Sequence, residues 1–210
     1  MHSSVRIVKK RLQLSQKKWN QIQNHSLRTV NSILTVLSRL NMVQARPEVF
    51  SESLLKKFED IPDRLAYRLA EIINKNLADL NRYLSQFSDV LKEMRKIETQ
   101  FRLDFSELAK KKVLGENPVG GEHDLEVIEQ AERTIQKIVD MYETELSLRQ
   151  AIITEIQDMI ALQPAHITAY LVLWSSEIYI EPNKIVELIE EFTHVEKIYR
   201  QSYDSLPKSR

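Results

Sequence analysis

Cysteine is absent from the 210 residues, which excludes disulfide frameworks, thiolate nucleophiles and cysteine-based zinc sites together. Glycine is almost absent. Three glycines stand where about 15 are expected at the usual ~7%, and Gly115, Gly120 and Gly121 all fall in one short stretch. Tight hairpins and phosphate-cradling loops need positive φ or close backbone approach, so a β-rich fold, a dinucleotide-binding fingerprint and a Walker loop are all disfavoured. No apolar run reaches the roughly 18 residues a membrane span needs. The N-terminal stretch has basic residues but no apolar signal core, so an intracellular, soluble protein is expected.

Net charge is also missing, with 30 Lys+Arg against 30 Asp+Glu, but that zero is a sum of opposites. Residues 1–46 hold nine basic side chains and no acidic one; residues 47–115 hold 13 and 12, and residues 116–210 hold 8 and 18. Such asymmetry concerns partners and solubility rather than fold. Lys9, Lys10, Arg11, Lys17 and Lys18 form the basic patch of the first segment. They suit nuclear import or phosphate contact, docking onto an acidic surface, or plain solvation. Only Trp19 lies near them as an aromatic, so a stacking platform for single strands is not formed and direct nucleic-acid binding is disfavoured.

What the chain has in abundance is apolar spacing of three and four. Trp19, Ile22, Ser26, Val30, Ile33, Leu37 and Leu40 make one helical stripe. A longer one runs through Leu65, Leu69, Ile72, Asn76, Leu80, Tyr83, Phe87, Val90, Met94, Ile97, Phe101 and Phe105, with no proline between Pro62 and Pro118. A helix of about 45–50 residues is allowed there, opening at Asp60, Pro62 and Asp63, where proline and acidic groups favour a first turn. Residues 51–59 read as a short lead-in helix, and Asn76 sits on the seam, where a buried asparagine can set register. A third stripe runs from Leu125 to Ile160. The segment 165–175 is nearly all apolar and is expected to be buried, 183–203 is amphipathic, and 176–181 is open between extended segment and loop.

The expected fold is therefore all-α: an elongated antiparallel helical bundle, partly coiled coil, with a small C-terminal helical cap. The expected divisions are a basic tail at 1–12, a long-helix bundle at 13–161 with a loop at 113–123, a cap at 162–204 and a tail at 205–210. No enzyme is expected and no cofactor or metal. His2, His25, His123, His166 and His194 never fall four apart, and pairs such as Glu190/Glu191 lie on polar helix faces without a dry pocket to shift their pKa.

Residues 141–149 (Met141-Tyr142-Glu143-Thr144-Glu145-Leu146-Ser147-Leu148-Arg149), then Ile152 and Glu155-Ile156, then Ala169-Tyr170-Leu171-Val172-Leu173-Trp174 and Tyr179-Ile180-Glu181, resemble the signature of the cyclin-dependent kinase 2-interacting protein family. The family's proline before the tyrosine is Ile178 here. The resemblance implies a nuclear adaptor, with a cytoplasmic fraction allowed, and protein partners drawn from AAA+ ATPase complex subunits, a cyclin-dependent kinase and replication or checkpoint factors. It further implies roles in the cell cycle, DNA replication, the DNA damage checkpoint and ribosome biogenesis, through a scaffold subunit of an ATPase assembly that matures the large ribosomal subunit. Tyr142, Glu145, Arg149, Tyr170, Trp174 and Tyr179 are the expected partner-binding residues, the aromatics because Trp and Tyr anchor interfaces. No Ser-Pro or Thr-Pro occurs, so the chain offers no proline-directed phosphosite. The alternative from another class is a structural coiled-coil subunit of a kinetochore-type or tethering complex.

Overall fold

A computed structural model describes residues 2–45, 50–113, 122–159 and 164–204. The chain is all-α: α1 (His2–Ala45), α2 (Glu52–Lys57), α3 (Ile61–Val113), α4 (Glu122–Met159), α5 (Pro164–Ser176) and α6 (Pro182–Asp204). No strand occurs among the described residues. α3 is 53 residues long, as the proline-free interval permits, and Asp60 starts it by accepting the Arg64 N–H at 3.0 Å while its carboxylate holds the Arg64 guanidinium at 2.6 Å. Residues 114–121 of the expected loop, the 205–210 tail, and the side chains of Phe105, Leu125, Ile160, His2, His123 and His194 lie outside the described residues.

The helices form two compact units, each assembled from separated stretches of chain. Unit 1 comprises Met1–Trp19, Ser88–Glu145 and Tyr179–Arg210; unit 2 comprises Asn20–Phe87 and Leu146–Ile178. This partition differs from the one expected from sequence. Residues 2–12 are the first turns of α1 rather than a tail, and the two cap helices belong to different units. The physical reason is that antiparallel helices bury their stripes against chain that is distant in sequence, so compactness does not follow linear order.

In unit 1 four helices close a ring of contacts. Lys18 of α1 pairs with Glu93 of α3 at 2.7 Å, Arg102 of α3 with Glu132 of α4 at 2.6 Å, Thr134 of α4 meets Glu191 of α6 at 3.4 Å, and Lys9 of α1 donates to Thr193 of α6 at 2.6 Å. Val8, Leu12, Met94, Ile97, Ile135 and Leu188 fill the interior. Phe101 and Phe192 tilt against each other with ring centres 6.1 Å apart.

In unit 2, α1, α3, α4 and α5 bury Val30, Ile33, Leu80, Ile152, Ile156 and Leu171. Here α3 turns Leu69, Ile73, Leu77 and Leu80 inward, while Ile72, expected on the seam, is exposed. Adjacent isoleucines at 72 and 73 offered two stripes of equal local merit, and packing against α1 chose the second. Asn76 consequently sits half-buried at the edge, where its amide donates to Ser32 Oγ at 3.0 Å. α5 is likewise only partly interior: Ile167, Leu171 and Trp174 are buried at helical spacing, but Val172 is exposed. The expectation of a buried 165–175 fails in part because one side of that helix stays exposed among the described residues. α2 buries none of its residues.

Candidate functional site

A buried arginine organises unit 2. Arg149 projects from α4 with no exposed surface, Nη1 donating to Gln23 Oε1 at 2.7 Å and Nη2 to Glu177 Oε1 at 3.0 Å. Its guanidinium lies over the Phe87 ring at 4.4 Å and the Trp174 ring at 5.1 Å. A planar, weakly hydrated cation tolerates such a place because aromatic faces and fixed acceptors replace the lost water. Burial of a charge is otherwise prohibitive.

Around it runs a chain of polar contacts. Trp174 Nε1 donates to Ser26 Oγ at 3.0 Å, and the Ser26 hydroxyl in turn reaches the Gln23 carbonyl oxygen at 2.9 Å. Ser26, the polar break in the first apolar stripe, is thus the acceptor that allows a tryptophan into the core. Because its Oε1 faces the Arg149 cation, Gln23 must turn Nε2 elsewhere, and that buried group finds no partner among the described residues. Glu177 adopts φ 45°, the left-handed region, immediately after the last residue of α5. A non-glycine residue there costs about 1–2 kcal/mol, and the ion pair to Arg149 holds it in place.

In unit 1, Tyr142 is buried edge-on against Trp19, ring centres 4.8 Å apart at 74°. Glu145, also fully buried, accepts the Tyr179 N–H at 3.2 Å. That contact satisfies a donor in the non-helical link between α5 and α6, while the Tyr179 side chain is 44% exposed.

The residues expected to bind a partner therefore divide. Arg149 and Trp174 meet in one layer; Tyr142 and Glu145 are buried without meeting a surface; Tyr170 is half-buried on α5; Tyr179 faces solvent. Buried groups cannot touch a partner directly. Within unit 2 Arg149 holds Glu177, and within unit 1 Glu145 holds the Tyr179 N–H. Sequence reasoning did not single out Gln23, Phe87 or Glu177 for this layer. Phe87 lies on a core stripe, but no local signal marks Gln23 or Glu177, since their partner lies 126 and 28 residues away.

Of the basic patch, Lys10, Arg11 and Lys17 are exposed, whereas Lys9 and Lys18 are engaged by Thr193 and Glu93. No cluster of three or more metal-ligating side chains occurs among the described residues, and His25 and His166 are exposed. No described helix is long and apolar enough to cross a membrane.

Neither a curated protein nor a solved structure matches the chain. A family model does, the one described as ribosome biogenesis protein C1orf109-like, and it matches residues 1–117. The match spans α1 to α3 and lies outside 141–181, where the resemblance to the kinase-interacting family is concentrated. Covering more than half of the 210 residues, it shows that the chain belongs to the C1orf109-like family of ribosome biogenesis proteins.

Proposed function

We propose that this chain is a non-enzymatic nuclear or nucleolar adaptor, a scaffold subunit of a AAA+ ATPase assembly that matures the large ribosomal subunit. The observation that carries the reading is the family match over residues 1–117. The resemblance of 141–181 to the cyclin-dependent kinase 2-interacting family supports its finer part, the ATPase partner and a second role in DNA replication and genome maintenance. The seam of α3 agrees with an adaptor that folds alone. Phe87, Met94 and Phe101 are covered by helices of their own chain, so no second copy is needed to bury them.

The test is acute depletion followed by sucrose gradients, precursor-rRNA analysis and nucleotide-analogue incorporation within one cell cycle, with affinity purification of the tagged chain in parallel. The reading expects a fall in free large subunits, accumulation of large-subunit rRNA precursors and recovery of a AAA+ ATPase. Unchanged precursors with early loss of DNA synthesis would reverse the order of the two roles. Recovery of neither an ATPase nor ribosomal precursors would overturn the proposal.

A further inference from the structure

Within unit 1, α1 and α3 run antiparallel and leave between them an open groove of about 470 Å³ lined by Arg11, Arg95, Lys96, Thr99 and Gln100. Arg95 is already committed to Glu98, Asp140 and Glu143. Arg11 and Lys96 are exposed and make no ion pair with a carboxylate among the described residues, so two unpaired cations face one opening, with Asp104 held at its edge by Gln100 at 2.6 Å.

The same surface carries apolar side chains. Ile7 is 50% exposed, Leu14 55% and Leu103 55%. On α1 the order Ile7, Arg11, Leu14, Lys18 follows helical spacing of four, three and four; on α3, Lys96 and Leu103 are seven apart. The register that pairs Lys18 with Glu93 and sets Arg11 beside Lys96 and Gln100 brings Ile7 level with Leu103. By that spacing the cations stand between Ile7 and Leu103 towards one end and Leu14 towards the other, just outside the five residues that line the groove.

We propose that this groove docks an acidic amphipathic helix from a partner protein. A partner helix with apolar residues at i and i+7, about 10.5 Å apart at 1.5 Å per residue, spans the same interval as Ile7 and Leu14. Carboxylates at i+3 and i+4 of that helix then fall opposite Arg11 and Lys96. Such helix-in-groove recognition uses both halves of the surface. A nucleic-acid backbone would use only the cations, would leave three aliphatic side chains against phosphate, and would find no aromatic in the groove on which to stack a base. The proposal goes beyond the adaptor reading, because it concerns the chemistry of one surface whatever process that surface serves.

The experiment is fluorescence anisotropy with the full chain and three probes: a labelled synthetic helix with Leu at i and i+7 and Glu at i+3 and i+4, the same helix with Gln for Glu, and an oligouridylate. Saturable binding of the acidic helix is expected, weakened at least about tenfold by Glu to Gln in the peptide, by Arg11→Glu with Lys96→Glu, or by Ile7→Ser with Leu103→Ser, the loss typical of anchor residues. A helix with Lys for Glu should regain affinity for the charge-reversed chain. Circular dichroism checks the fold of each variant, and the Gln peptide tests the charges with the protein unaltered. Absence of saturable binding overturns the proposal. So does oligouridylate binding tighter than the peptide and indifferent to Ile7→Ser with Leu103→Ser, or light scattering that shows the groove closed by a second copy of the chain.

Discussion

Truncating Arg149 to alanine should be among the most damaging single changes in unit 2, and graded substitutions there separate charge from packing. The wild-type guanidinium is fully buried, makes two charge-assisted hydrogen bonds and covers two aromatic faces. Breaking a buried pair by removing one partner costs about 3–5 kcal/mol. Glu177 keeps 25% of its side-chain surface in water and can rehydrate in part, which pulls the figure for Arg149→Ala toward about 3 kcal/mol. Arg149→Met retains most of the stem volume against Phe87 and Trp174 and removes the charge that needed pairing, so a loss of about 1–2 kcal/mol is expected. Arg149→Lys should fall between them, because an ammonium can neither fork to Gln23 and Glu177 nor stack on the rings. The assay is urea unfolding at neutral pH in a Trp19→Phe background, which leaves Trp174 as the fluorophore beside the mutated position, with circular dichroism as the second probe. Against a whole-protein stability of about 5–15 kcal/mol, a loss near 3 is readily measured. The reasoning is refuted if Arg149→Ala costs less than about 1 kcal/mol, or if Arg149→Met is as damaging as alanine.

Other substitutions read neighbouring features. Glu177→Gly loses the ion pair but relieves the φ of 45°, so it should destabilise by about 1 kcal/mol less than Glu177→Ala in the same urea assay; equal losses would mean the left-handed backbone carries no strain. Ser26→Ala strands the buried Trp174 Nε1 and should cost about 1–3 kcal/mol, with a change in the Trp174 emission maximum as the local signature. Arg95→Ala removes contacts to the half-exposed Asp140 and Glu143 and to buried Glu98, which keeps Arg102 at 3.3 Å, and should cost about 1 kcal/mol, the part owed to Asp140 and Glu143 shrinking at high salt in a melting series. Partial burial of that guanidinium works against its charge, but hydrogen bonds and attraction from Glu98 and Glu143 outweigh it and push its pKa up. A raised basic pKa gives stability at all pH values below the ordinary arginine range, lost only as pH climbs through the folded-state value, so the effect of Arg95→Ala should be flat between pH 5 and 9.

The link between α5 and α6 shows how burial can shape an exposed surface without contributing to it. In unit 1 Glu145 satisfies the Tyr179 N–H while the Tyr179 ring stays exposed, and in unit 2 Arg149 holds Glu177. A partner that reads the Tyr179 ring would sense mutation of Glu145 only through the altered backbone. A binding defect from Glu145 therefore has to be compared with Tyr179→Ala, which removes a half-exposed ring and leaves the backbone contact to Glu145 in place.

Local chemistry in the chain was enough to determine that it is helical, where most helices begin and end, and which face of α1 is apolar. Those properties depend on neighbours three or four residues away, and a glycine-poor sequence with proline only at its breaks states them directly. The same information did not decide between Ile72 and Ile73, which are equally apolar one residue apart, nor which face of α5 would stay wet. It could not say that Gln23, Phe87 and Glu177 would gather around Arg149, because a buried cation selects partners by distance in space; nothing local marks Gln23 or Glu177, and the stripe that carries Phe87 does not name what it packs on. The basic N-terminal segment divides in the same way. Its charge was plain in sequence, but only packing against α3 and α6 occupied Lys18 and Lys9 and left Arg11 facing Lys96 across an open groove.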